Sequence, residues 1–236
     1  VNGAARFITL EGGEGTGKTT QAVKLADALC RSGIPVLRTR EPGGSPGAEV
    51  LRGLLLSGQV DWAPQAETLL HFAARADHVA RVIRPALEAG MWVVCDRFHD
   101  STMAYQGYGQ GADHHLIQAQ IDLLGLTPDL TLVLTADAAI TAARRRRRGG
   151  PPDRYERQDP AFHERVNAGF LAIARAEPAR CHLVPADAPE PSVHAAILDV
   201  LAARFGLDQG TRDQAHPTAD RPHAATAREG RSVVTP

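Results

Sequence analysis

Gly12-Gly13-Glu14-Gly15-Thr16-Gly17-Lys18-Thr19 is the stretch of this chain whose residue types and spacing speak most directly of chemistry. It follows an apolar run, Arg6 to Leu10, and leads into a helical pattern that begins at Lys18. Glycines let a loop curl until consecutive backbone N–H groups point inward at an anion, and the helix that follows adds the positive end of its dipole. An ordinary glycine-rich turn is the alternative, but G-x-x-x-x-G-K-[ST] between a strand and a helix is the arrangement of a nucleotide phosphate-binding loop. Lys18 then bridges the β- and γ-phosphates and Thr19 ligates Mg²⁺. The residues expected to hold the nucleotide are Gly12, Gly13, Glu14, Gly15, Thr16, Gly17, Lys18, Thr19 and Thr20.

A second pair of chemically apt residues closes the apolar run Trp92 to Cys95. Asp96 stands where a carboxylate can hold Mg²⁺ directly or through water, with a helix cap as its plainer role. Arg97 can fork two bonds to a phosphate, or form a surface ion pair with Glu41 or another carboxylate. Positive charge is otherwise concentrated: Lys18 and Lys24 are the only lysines, and Arg144 to Arg148 are consecutive. That run begins at a helix end and passes through Gly149-Gly150-Pro151-Pro152, so a mobile basic segment is expected. No aromatic is interleaved with the arginines, which argues against a single-stranded nucleic-acid platform.

Bulk properties narrow the class. The formal net charge of −1 gives no global reason to expect nucleic-acid or membrane binding. Cys30, Cys95 and Cys181 are far apart and form no C-x-x-C pair, so neither a disulfide framework nor a zinc site is indicated and a reducing cytoplasm fits. The start of the chain shows no basic segment followed by an apolar signal region, and no apolar run approaches the roughly 20 residues of a membrane span. A switch GTPase would need an N-K-x-D motif, for which no lysine exists beyond Lys24; Asp122-Leu-Leu-Gly is a chance D-x-x-G on a helix.

The elements that must position these residues alternate along the chain. Apolar runs at Arg6–Leu10, Val36–Thr39, Trp92–Cys95, Leu130–Leu134 and Cys181–Val184 read as strands covered on both faces. Helical patterns occupy Lys18–Arg31, Gly47–Leu56, Pro64–Glu88, Asp113–Leu124, Ala138–Arg147, Asp159–Ala176 and Pro191–Phe205. The expected architecture is α/β: a doubly wound, five-stranded parallel sheet flanked by helices, the P-loop NTPase fold, with an arginine-rich lid at about 144–158. One domain is expected over 1–208. The tail 209–236, polar and rich in Pro and Ala without apolar periodicity, is expected to be disordered.

Three further motifs give the loop a context. Thr39-Arg40-Glu41-Pro42-Gly43-Gly44 is followed by Ala48-Glu49-Val50-Leu51-Arg52, and Asp96-Arg97-Phe98-His99-Asp100-Ser101-Thr102 continues to Met103-Ala104-Tyr105-Gln106-Gly107. Together with the phosphate-binding loop these resemble the bacterial thymidylate kinase family, from about Phe7 to Phe205. The resemblance implies transfer of the γ-phosphoryl group of MgATP to dTMP, with ATP and dTMP as partners, no nucleic acid or membrane, and a homodimer packed through helices.

It also implies roles for residues. Arg97 becomes a ligand of the dTMP phosphate and Glu14 a group that positions the acceptor's sugar or a phosphate-linked ion. Arg52 helps hold the acceptor phosphate, and Glu41 with the Pro42-Gly43-Gly44 turn frames it. Phe72 is taken as the ring that stacks on thymine, with His71, four residues before Arg75, as the alternative; Arg75 hydrogen-bonds the base. Thr102 and Gln106 are similar to polar base contacts, and Tyr105 to an aromatic beside the deoxyribose. In one branch of the family an arginine follows the acidic loop residue, whereas this chain has Gly15. The resemblance then assigns the missing charge to the lid, where Arg154 in Asp153-Arg154-Tyr155-Glu156 matches D-R-x-E after an unusual double proline. The catalytic set expected is Lys18, Arg97, Arg154 and Glu14, with Thr19 and Asp96 at the metal.

Overall fold

The computed structural model describes residues 4–149 and 153–207. Five parallel strands, β1 (Phe7–Glu11), β2 (Val36–Arg40), β3 (Trp92–Asp96), β4 (Leu130–Thr135) and β5 (Cys181–Pro185), form one sheet in the order β2-β3-β1-β4-β5. Alternate residues of the central strands serve opposite faces, as the twofold period of a strand requires. Ile8, Leu10, Val94 and Leu132 pack with Leu25 and Leu29 of α1 (Lys18–Arg31) and with Ile197 and Leu201 of α9 (Glu190–Phe205). Phe7, Val93 and Cys95 pack on the other side with Val79, Ile83 and Phe98. β1, β3 and β4 are buried on both faces, which is why they read as largely apolar runs, whereas the edge strands β2 and β5 are partly exposed.

Each strand extends to a less apolar residue at its C-terminal end than the sequence pattern allowed: Glu11, Arg40, Asp96, Thr135 and Pro185. These positions border the crevice at the carboxyl edge of the sheet, where ligands of open α/β sheets bind. β1 sits between β3 and β4, so the crevice opens at the phosphate-binding loop.

The remaining helices are α2 (Pro46–Leu56), α3 (Pro64–His78), α4 (Arg84–Glu88), α5 (His99–Thr102), α6 (His114–Leu124), α7 (Ala138–Arg148) and α8 (Pro160–Ala176). A π-helical stretch, Val79–Ile83, joins α3 to α4 just before Pro85, whose missing N–H cannot serve the regular ladder. A second, Met103–Gly109, continues α5. That segment carries too many glycines to read as helical, and the sequence pattern missed it. Asp159 caps α8 by accepting from the Phe162 N–H at 2.7 Å, with Pro160 in the first turn, where its lost donor costs nothing. The tail 209–236 and residues 150–152 of the arginine-rich segment lie outside the described residues.

Candidate active site

The chain from β1 to α1 must reverse within six residues, and Gly12 does so at a φ of 130°. A β-carbon there would stand 2.2 Å from the Leu134 carbonyl oxygen, so only glycine fits. Lys18 Nζ folds over the loop and donates to the Gly13 carbonyl at 2.7 Å. Burial, then repulsion from Arg97, brings the Lys18 ammonium down to about 8. At the foot of α1 the Thr19 hydroxyl donates to Asp96 Oδ2 at 2.5 Å, joining the end of β3 to the helix N-terminus. A hydroxyl and a carboxylate in contact are hard oxygen donors, a set that fits Mg²⁺, which keeps several waters and leans on substrate phosphates. Among the described residues no cluster of three or more His, Cys, Asp or Glu side chains could by itself hold a metal.

Arg97 is the one non-glycine residue with positive φ among the described residues, at 71°. The turn throws its side chain across the loop: Nη1 donates to the Gly12 carbonyl (3.1 Å) and Ser101 Oγ (3.0 Å), and Nη2 to Glu14 Oε1 (2.5 Å) and the Tyr105 hydroxyl (3.0 Å). The guanidinium also lies 4.9 Å from the centre of the Tyr105 ring. Burial alone would raise the Glu14 carboxyl, but Arg97, then Lys18 and the Tyr105 hydroxyl, outweigh it and hold the group at about 2. Behind this layer Glu11 is wholly buried, accepting from the Phe98 N–H (2.7 Å) and the Ser101 hydroxyl (2.5 Å). Burial, then the charge of Asp100, pushes its carboxyl up to about 8.

A cleft of about 1170 Å³ runs from the phosphate-binding loop to a polar pocket beside α3. There Arg75 is buried and braced: Nε donates to Glu41 Oε2 (2.7 Å), and Nη2 to the Phe98 carbonyl (3.0 Å) and Thr102 Oγ1 (3.1 Å). Its Nη1 has no hydrogen-bond partner among the described residues. Glu41 is held from its other side by His78 Nδ1 at 2.9 Å. Arg52 at the mouth donates to the Pro42 carbonyl at 2.6 Å. Thr102, Tyr105 and Gln106 line the cleft, and so does His71.

Two expectations meet a different geometry. Phe72 lies outside the cleft lining, buried beneath the Arg75 guanidinium at 4.8 Å from its ring centre, and His71 presents its ring to the cleft instead. A residue four positions before Arg75 shares its helix face more closely than one three before. Arg154 likewise lies outside the lining. Its Nη1 forms an ion pair with Glu67 Oε2 at 2.6 Å, and Nη2 reaches Asp61 Oδ1 at 3.4 Å. Of the arginine-rich segment, Arg144, Arg145, Arg147 and Arg148 of α7 face the cleft, with Arg148 bonded to Glu156. Gly15 explains their proximity: a β-carbon there would meet the Thr141 carbonyl oxygen at 2.7 Å and Arg145 Cγ at 3.2 Å, so α7 rests directly on the loop.

Sequence reasoning did not single out Glu67, Tyr155, His78 or Ser101. Glu67, His71 and Arg75 stand at i, i+4 and i+8 of α3, a polar stripe on a buried helix face that could have been noticed.

The family model described as "Thymidylate kinase" matches residues 10–197. The chain belongs to the thymidylate kinase family. It is 55% identical over 203 residues to a thymidylate kinase of Gluconobacter oxydans, covering 84% of this chain and 95% of that one. A thymidylate kinase of Caulobacter vibrioides is 53% identical over 204 residues, covering 85% and 98%. The solved thymidylate kinase of Ehrlichia chaffeensis superposes with a TM-score of 0.71 at 36% identity, covering 84% of this chain and all of that one. Family membership makes this chain an ATP-dependent nucleoside monophosphate kinase on the P-loop NTPase fold, as the motifs led one to expect.

Proposed function

We propose that this chain transfers the γ-phosphoryl group of ATP to the phosphate of dTMP within the cleft, giving ADP and dTDP. The observation that carries the reading is a single cleft joining the phosphate-binding loop to the Arg75 pocket, with Arg97 reaching in between. Gly12 to Thr20 cradle the triphosphate, Lys18 follows the migrating group, and Arg97 with Arg52 aligns the acceptor phosphate. Thr19 and Asp96 would hold Mg²⁺, which neutralises phosphate charge when bound. Glu14 orients Arg97, and Glu41 orients Arg75.

At the base end, Arg75, Thr102 and Gln106 supply polar contacts, Tyr105 flanks the sugar, and His71 supplies the ring. Phe72 acts beneath them as packing. The charge absent at Gly15 comes from α7, with Arg148 as the residue nearest in role to an arginine finger. The acceptor phosphate is already anionic, so no general base is needed. Catalysis rests on positioning and charge neutralisation.

We place the enzyme in the cytoplasm, a reading supported by its free cysteines. A homodimer packed through helices is supported by exposed Val50 and Leu54 on α2 and Leu69 on α3. ADP release measured with dTMP, dUMP, dCMP, dGMP and AMP tests the function. The greatest kcat/KM is expected with dTMP; a higher value with a purine monophosphate or dCMP would overturn the assignment of the base pocket.

A further inference from the structure

Beside the base pocket lies a carboxylate that the transfer reaction does not use. Glu67 is wholly buried. Its Oε1 accepts from the Tyr155 hydroxyl (2.7 Å) and from the side-chain amides of Gln106 (2.9 Å) and Gln110 (2.9 Å), and its Oε2 faces Arg154 Nη1 at 2.6 Å. A carboxylate can only accept, so every group around it must turn a hydrogen toward it. Gln106 therefore directs its NH₂ inward; the same nitrogen also lies 3.3 Å from the Tyr155 hydroxyl. What remains for the cleft is the amide carbonyl. The single proton of Tyr155 is committed to Glu67, so its oxygen must accept from His71 Nε2 at 2.8 Å. That fixes His71 as the Nε2–H tautomer and leaves Nδ1 a bare acceptor. Burial, then the charge of Arg75, lowers the imidazole to about 3, so the ring is neutral at physiological pH.

We propose that Glu67 is a positioning residue that sets the hydrogen-bond polarity of the base pocket, with Arg154 as its counter-ion. The pocket so oriented offers an acceptor at the Gln106 carbonyl and a donor at Arg75 Nη1, which has no hydrogen-bond partner among the described residues. Thymine and uracil match it, with a donor at N3 beside a carbonyl at C4. Cytosine presents the reverse, an acceptor at N3 and a donor at C4, and would leave polar groups unpaired, a mismatch that sites built on hydrogen bonds reject strongly. Arg154 is the charge partner of this buried carboxylate, which would otherwise stand uncompensated in the protein interior. The D-R-Y sequence thus acts on base choice from behind the pocket, not on the phosphoryl group.

The inference rests on the dTMP reading above. The test compares kcat/KM for dTMP and dCMP in the parent and in Glu67→Gln, whose amide lets Gln106 turn either way. The dTMP-to-dCMP ratio should fall at least about 10-fold, with KM for ATP within about twofold of the parent. A merely structural role would not move that ratio. A folded Glu67→Gln protein with the parental ratio overturns the proposal, whereas a parent that does not prefer dTMP overturns the dTMP reading itself. Nitrogen-15 spectra of the histidines in the unmodified protein decide independently of any variant's folding. A neutral Nε2–H tautomer at His71 is expected, and the Nδ1–H tautomer would sink the idea.

Discussion

Arg97 and Glu14 meet at 2.5 Å across the mouth of the phosphate-binding loop, and the arginine reaches there because its backbone adopts a φ of 71°. The carboxylate is an orienting partner, leaving the guanidinium pinned in plane before substrate arrives. Lysine in its place would keep the charge and lose the fork. We expect Arg97→Lys to lower kcat/KM for dTMP by roughly 100-fold while ATP affinity changes little. Steady-state kinetics with each substrate varied in turn will check this.

Lys18 should take up a proton when ATP binds. Its ammonium sits at about 8 because it is buried and near Arg97, and an arriving triphosphate supplies the negative charge that restores a higher value. ATP affinity should therefore weaken as pH rises above about 8. Calorimetry near that pH in buffers of different ionisation enthalpy should register proton uptake, which Lys18→Ala should abolish together with most turnover.

His71 and Phe72 should separate cleanly. His71→Ala should raise KM for dTMP roughly 10-fold, in keeping with the ~1–3 kcal/mol of base stacking, and leave KM for ATP alone. Phe72→Ala should instead lower Tm by roughly 10 °C, since truncating a buried phenylalanine costs about 3–5 kcal/mol. An acceptor-specific defect in Phe72→Ala with an unchanged Tm would reverse the assignment.

Arg148→Ala should reduce the single-turnover rate by at least about 100-fold with both KM values nearly intact, because an arginine finger meets its full charge partner only in the transition state. Arg154→Ala should act mainly on acceptor affinity and stability, given its ion pair with Glu67. A parental rate in Arg148→Ala would move the role to Arg144, Arg145 or Arg147.

Glu11 makes stability depend on pH in a direction opposite to most carboxylates. Its folded value, about 8, lies above the unfolded 4.5, so the folded state binds the extra proton. Its contribution is fully present below about pH 4.5 and is lost as pH rises through about 8. Glu11→Gln can still accept from Phe98 and donate to Ser101, so its Tm should exceed the parent's at pH 8.5 and converge with it near pH 5. Parallel melting curves across that range are the check.

The fold was legible because burial on both faces writes β1, β3 and β4 as continuous apolar runs, and the glycine spacing of the loop has few other uses. What escaped lay where polarity and burial coincide. Strand ends at Glu11 and Asp96 look like loop because they are charged. The choice between His71 and Phe72 turned on a single residue of helical phase, and hydrophobicity favours the ring that belongs in the core. Arg154 looked catalytic because Asp153-Arg154-Tyr155-Glu156 resembles the D-R-x-E of the family's lid; its partner Glu67 is 87 residues away in sequence, a pairing that only the fold brings about.

The contact between α7 and Gly15 also limits how such an enzyme can change. A side chain at position 15 would collide with the Thr141 carbonyl, so an arginine cannot be added to the loop while α7 stays where it is. Placing the transition-state charge on the loop and placing it on α7 are therefore mutually exclusive solutions here. Passing from one to the other requires the helix to retreat and the new arginine to arrive together, because either step alone leaves a protein that is worse than its parent.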